Sequence, residues 1–180
     1  MGLELVRVGT RRDFRRFIRF PEKVYKGEAR WAPPLWSEER RTYDPRHNPV
    51  LKESDFVLFL ALRDGEVVGR NLAYVNHLYN AHYYCRTGMF GAFECVDDPE
   101  VAGLLLRAAE DWLAGEGAEE IIGPIHPVDE VWGTLVEGFE RPAIFLTPWN
   151  PPSYDRLIAG AGYGRFKDLL AWELDDRQGQ

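Results

Sequence analysis

Residues 93–124, FECVDDPEVAGLLLRAAEDWLAGEGAEEIIGP, constrain the fold more than any other stretch of this chain. The run opens at the end of an apolar strand, turns through Asp97, Asp98, Pro99 and Glu100, and continues as a long helical pattern to about Gly115. Val101, Leu104, Leu105, Ala108, Trp112 and Leu113 recur at helical spacing, so one face is apolar and seeks a sheet. EEIIGPI (119–125) is then the next strand. A strand–helix–strand unit of this kind implies an α/β layer structure. The start of such a helix, with its free N–H groups, is a common seat for phosphate. Here that start is acidic and lacks glycine. Asp98 followed by Pro99 reads at least as well as an ordinary cap.

The flanking pattern fits the same class. LELVRV (3–8) alternates like a strand, and Thr10 with Asp13 three residues on predicts a capped helix. Phe14, Phe17 and Ile18 form its apolar stripe, arginines fill the rest, and Pro21 breaks or restarts it. Residues 30–49 are rich in proline and tryptophan and read as a rigid covering loop with a helical turn at 37–43. DFVLFLALRDGEVVGRNLAYV (55–75) is a hairpin turning at Asp64-Gly65, and 87–96 is a further long strand. The polar, tyrosine-rich residues between them, with His77 and His82, read as a surface connection. PPSYDRLIAGAG (151–162) predicts a helix, FKDLLAWEL (166–174) a last strand, and AIFLT (143–147) a short one.

Composition narrows the function classes. The first thirty residues hold nine Lys/Arg against four Asp/Glu, whereas the other 150 hold 13 against 25, giving −7 overall. An acidic chain of this kind is not expected to bind nucleic acid generally. No apolar run reaches membrane-spanning length and the N-terminus lacks a secretory core, so a cytoplasmic protein with no membrane partner is expected. Cys85 and Cys95 fit no metal spacing, and Cys95 reads as a small buried hydrophobe.

The element order, with LLRAAEDWLAGEGAEEI and YDRLIAGAGYGRFKDLLAWEL, resembles the GNAT superfamily of acyl-CoA-dependent N-acyltransferases. RWAPPL, NPVLKESDFVLFLALRDGEVVGR, GAFECVDDPEVAGLLLRAAEDWL and NPPSYDRLIAGAGY further resemble the N-terminal half of a bacterial GNAT-like family whose members are often about twice this length. The resemblance implies one GNAT-like α/β domain over 1–180, with a mixed twisted sheet flanked by helices. It also implies an N-acetyl- or N-acyltransferase using acetyl-CoA or another acyl-CoA, without a metal. The superfamily's Arg/Gln-x-x-Gly-x-Gly/Ala motif falls on residues 97–102, where only Ala102 conforms; Asp97 and Glu100 reverse its charge and remove its glycine. A bound cofactor would lie along Cys95, Val96, Val101, Ala102 and Gly103. The alternative is a GNAT-like binding or assembly module without CoA, or a relative of aminoacyl-tRNA-dependent transferases.

Glu94, at the end of its strand among apolar neighbours, is the candidate base for an amine substrate. Phe90, Ala92 and Val96 share its face if the strand alternates regularly. The plainer reading pairs Glu94 with an arginine. Tyr154 is the candidate acid, although the superfamily's usual tyrosine aligns with Ile158, four residues later. His126, near Asp129 and Glu130, lacks the spacing of a metal site. Trp31, Trp36, Trp132 and Trp149 read as core cover. The arginine face is solvated, or binds an anionic small molecule, or meets tRNA. An uncovered sheet edge predicts a homodimer.

Overall fold

The computed structural model describes residues 2–128, 132–143 and 147–172. Five strands form one sheet in the order β1-β2-β3-β4-β5: β1 (Leu3–Arg7), β2 (Ser54–Arg63), β3 (Glu66–Asn76), β4 (Thr87–Cys95) and β5 (Glu120–Ile122). The first four pair antiparallel, and β5 runs parallel to β4. The β2–β3 turn has Asp64 at φ 54° and Gly65 at φ 79°, the left-handed pair that a two-residue hairpin turn demands.

Helices cover both faces, which is why β2 and β3 read as nearly continuous apolar runs. On one face α6 (Pro99–Gly115) and α7 (Ser153–Gly160) bury Val101, Leu105, Leu106, Ala109, Leu113 and Leu157 against Phe59, Phe90 and Phe93. On the other, α1 (Arg11–Arg19) and α4 (Pro49–Lys52) lay Phe17, Ile18 and Leu51 over Leu60, Leu72 and Met89. Pro21 does restart the chain, as α2 (Pro21–Val24), and the turn near 37–43 is α3 (Trp36–Thr42).

Three expectations are corrected. The connection after β3 is a helix, α5 (His77–Tyr83), started by the Asn76 side chain, which accepts from Tyr79 N at 3.0 Å. The strand expected over 119–125 is confined to Glu120–Ile122, and Gly123–Pro124, a cis bond, follows it. Residues 166–172 form no strand, and Phe166, Leu170 and Trp172 lie at 75–85% exposure. Residues 173–174 of that expectation, and 144–146 of the one at 143–147, lie outside the described residues.

One irregularity positions the site. Opposite Arg70 stands Glu94, and opposite Leu72 stands Gly91, so β4 spends three steps where β3 spends two. The extra residue is a bulge with Ala92 at φ 52°. Regular alternation across 90–96 is therefore broken. Phe90 faces α6 with Phe93 and Cys95, while Ala92 joins Met89 on the opposite face. Gly91 has no alternative here: a Cβ would sit 2.0 Å from the Ile125 carbonyl oxygen. Ile125 N bonds Phe90 O at 2.8 Å, which holds this segment against β4 at the bulge.

Candidate functional site

The bulge turns Glu94 onto the same face as Arg70, its cross-strand partner, and Arg70 is buried there with Glu94 half-buried beside it. Arg70 is 2% exposed. Its guanidinium donates to Phe17 O at 3.0 Å and to Glu39 Oε1 of α3 at 3.2 Å, and stands 3.9 Å from Glu94 Oε1. The rings of Phe17 and Tyr43 flank it at 5.0 and 5.7 Å. Two carboxylates thus share one guanidinium, and the cluster carries an excess negative charge out of water. Burial raises the Glu94 pKa above the ordinary carboxylate range, and Glu39 adds to this; Arg70 and two phenols act in the other direction.

Those phenols are Tyr25 and Tyr154, which donate to Glu94 Oε2 at 2.8 and 2.7 Å. Tyr154 comes from α7, sixty residues away in sequence, and its oxygen also accepts from Cys95 N at 3.0 Å. Burial and the Glu94 charge hold both phenols protonated well above the usual tyrosine range. Glu94 and Tyr154, expected separately from sequence, are therefore in direct contact. Glu94 also has the arginine partner that the plainer reading requires. The arrangement can accept a proton on a carboxylate and deliver one from a phenol.

His126 meets Tyr43, its Nδ1 3.1 Å from the hydroxyl. Burial, with Arg70 nearby, depresses its pKa to about 4, so it is neutral at physiological pH. Asp129 and Glu130 lie outside the described residues. Among the described residues no group of three potential ligands could hold a metal. Over the cluster, Tyr25 stacks on Trp31 at 4.7 Å and meets the Trp149 edge at 6.0 Å. Trp36 lies under Arg19, and Trp132 is 44% exposed. Of the connection histidines, His77 pairs with Asp55 at 2.8 Å and His82 packs against Tyr83. Sequence reading missed Arg70, Glu39, Tyr25 and Tyr43. Arg70-Asn71 in the middle of an apolar strand was the available signal, since a charge there must be paired.

The start of α6 is closed. Pro99 has no N–H, Glu100 N donates to the Asp98 carboxylate at 2.8 Å, and Ala102 N donates to Asp98 O at 3.1 Å. Arg63 binds Asp98 at 2.8 Å and Glu100 at 3.2 Å, and Arg156 pairs with Asp97. Of the other positions expected to line a cofactor, Cys95 N is taken by Tyr154 and Val96 N by Val68 O. Val101, Ala102 and Gly103 are buried in α6.

No family model matches the chain. It is 36% identical over 164 residues to Protein YghO of Escherichia coli and 34% identical over 176 residues to the bacterial ceramide synthase of Caulobacter vibrioides. These alignments take in 91% and 97% of this chain but 42% and 46% of the relatives, so the chain spans about half the length of the curated relatives it matches. Among solved structures, an acetyl transferase from Pyrococcus furiosus superposes with a TM-score of 0.56 at 15% identity, covering 96% of this chain and 100% of that one. An aminoglycoside acetyltransferase from an uncultured soil metagenomic sample gives 0.56 at 14% identity, over 96% and 95% of the two chains. AAC(6')-Iy, in complex with a CoA-linked bisubstrate analogue, gives 0.55 at 12%, over 97% and 99%. With the β1–β4 meander, the parallel β5 and α6 across the sheet, the chain has the GNAT acetyltransferase fold.

Proposed function

We propose that the chain is a GNAT-fold portion of an N-acyltransferase about twice its length, one that joins an acyl group to a long-chain amine. The observation that carries this reading is the 2.7 Å contact between Glu94 and Tyr154, just past the β4 bulge. As the amine nitrogen bonds to the acyl carbon, Glu94 takes its proton; as the leaving group departs, Tyr154 protonates it. A proton passed from Glu94 to Tyr154 along their shared hydrogen bond resets both groups. The amide product is of the kind named in the ceramide synthase relative, an acylated long-chain amino alcohol.

The start of α6 does not fit the diphosphate of an acyl-CoA. Its donors are used by Asp98, and three carboxylates stand where the phosphates would lie. The grip on the acyl donor therefore falls to the remainder of the longer protein. A second reading, a supporting module without chemistry, is favoured by the way Tyr25, Tyr154 and Arg70 together enclose Glu94.

One experiment separates the two. This chain replaces the matching segment of the Caulobacter enzyme, and amide formation from a long-chain acyl-CoA and a long-chain amino alcohol is followed by mass spectrometry. Glu94→Gln is expected to lower kcat on the order of 100-fold or more, the worth of a general base, while the melting temperature stays close to that of the parent. An active chimera whose kcat is unchanged by Glu94→Gln would make Glu94 structural.

A further inference from the structure

We infer that the arginine face of α1, with Lys23 and Leu35 beside it, is a docking surface for an anionic phospholipid bilayer. At 100° per residue, Arg11, Arg15, Arg19, Arg12 and Arg16 fall within an arc of about 140°, and Phe14, Phe17 and Ile18 occupy the opposite side of the helix. Arg11, Arg12, Arg15 and Arg19 are exposed. Arg16 is tied to Gly65 O and Arg19 to Glu22, but no ion pair engages Arg11, Arg12 or Arg15 among the described residues. Arg12, Arg16, Arg19 and Lys23 line a groove of about 370 Å3 against the β2–β3 turn, where Glu66 is the one acidic lining residue. Folding has thus gathered the basic start of the chain into one patch.

The patch has an apolar tip. The Arg19 guanidinium lies 4.5 Å over the Trp36 ring, which brings the start of α3 alongside the arginines. Leu35, the residue before α3, is 75% exposed with nothing to cover it in water. Cations beside a projecting leucine match a bilayer surface, with phosphates for the arginines and an apolar layer for the side chain. A long polyanion such as RNA matches less well. It would run off the patch onto a remainder holding 13 Lys/Arg against 25 Asp/Glu. The absence of a spanning helix among the described residues bears only on insertion. The proposed peripheral surface departs from the expectation of no membrane partner. Residues 25–36 also carry Tyr25 and Trp31 over Glu94, so this surface adjoins the cover of the candidate site.

Co-sedimentation tests the surface without reference to activity, so its failure and that of the Glu94 reading are separable. The chain is expected to pellet with phosphatidylglycerol vesicles and to stay in solution with phosphatidylcholine vesicles. High salt should release it. Arg11→Ala, Arg12→Ala and Arg15→Ala together should lower partitioning on the order of 100-fold, at about fivefold per arginine, with an unchanged circular dichroism melt. Leu35→Ser should weaken binding with the charge intact. Equal binding to the two lipids, no binding to either, a triple variant that binds like the parent, or equally tight capture by single-stranded RNA each overturns the proposal.

Discussion

Replacing Arg70 by methionine isolates the one buried charged side chain among the described residues. The side chain is 2% exposed, and its guanidinium faces Glu39 at 3.2 Å and Glu94 at 3.9 Å. At an effective dielectric near 20 these contacts are worth about 5 and about 4 kcal/mol before desolvation. Methionine removes them, along with the bond to Phe17 O, and leaves two carboxylates facing each other. Loss of one partner from a buried ionic cluster costs about 3–5 kcal/mol, a large fraction of a domain's stability. Urea unfolding at neutral pH should show that loss as a lower midpoint with an unchanged slope.

The pH dependence sharpens the test. Glu94 already has a raised pKa, and Arg70 is the strongest influence lowering it. Without Arg70 it rises further. A carboxyl whose folded pKa exceeds its unfolded value favours folding below the unfolded pKa, and that contribution disappears as pH rises through the folded one. The gap between parent and Arg70→Met should therefore be widest at high pH and narrow as the pH falls and Glu94 takes up a proton. A gap that is flat with pH, or a variant as stable as the parent at pH 8, would refute the account of Arg70 as the counter-ion of this cluster.

Two further outcomes follow from the same geometry. Asp98→Ala removes the cap of α6 and a partner of Arg63, and should lower stability by about 1 kcal/mol, read as a small drop in melting temperature; an unchanged melt would show that Pro99 alone starts the helix. Burial pushes the Cys95 thiol far up, and the residue is 1% exposed, whereas Cys85 is half-buried; a thiol reagent should label Cys85 readily and Cys95 only on unfolding, and rapid labelling of both would contradict the packing of β4.

The parts of this fold that sequence revealed are those whose causes are local. The hairpin followed from Asp64-Gly65 between apolar runs, and the Thr10–Asp13 and Asp98–Pro99 caps from side chains within three residues of the groups they satisfy. Helix α5 was hidden because its start depends on Asn76 and none of its residues is buried, so no apolar stripe marks it. The β4 bulge was hidden because its left-handed residue is Ala92 rather than a glycine. The cluster was legible only in fragments. Arg70 draws on Phe17 and Glu39, and Glu94 on Tyr25 and Tyr154, at separations of 31 to 69 residues that no local spacing reports.

Where the acidic residues find counter-ions decides which of them have a perturbed proton affinity. Asp97, Asp98 and Glu100 meet two arginines at the surface, where water and salt screen the remaining charge and the helix start gains from it. Glu39 and Glu94 meet one arginine in the interior, where the excess is not screened and must be held by phenols or neutralised by a proton. The two groups have a similar charge deficit and opposite consequences. The helix start is capped and its carboxylates are paired, while Glu94 is left with a proton affinity set by its surroundings. The bulge joins these outcomes: the residue gained in β4 turns Glu94 away from α6, and Tyr154 fills the edge at Cys95 N as it reaches that carboxylate. Closing the edge and building the Glu94–Tyr154 pair are the same structural event.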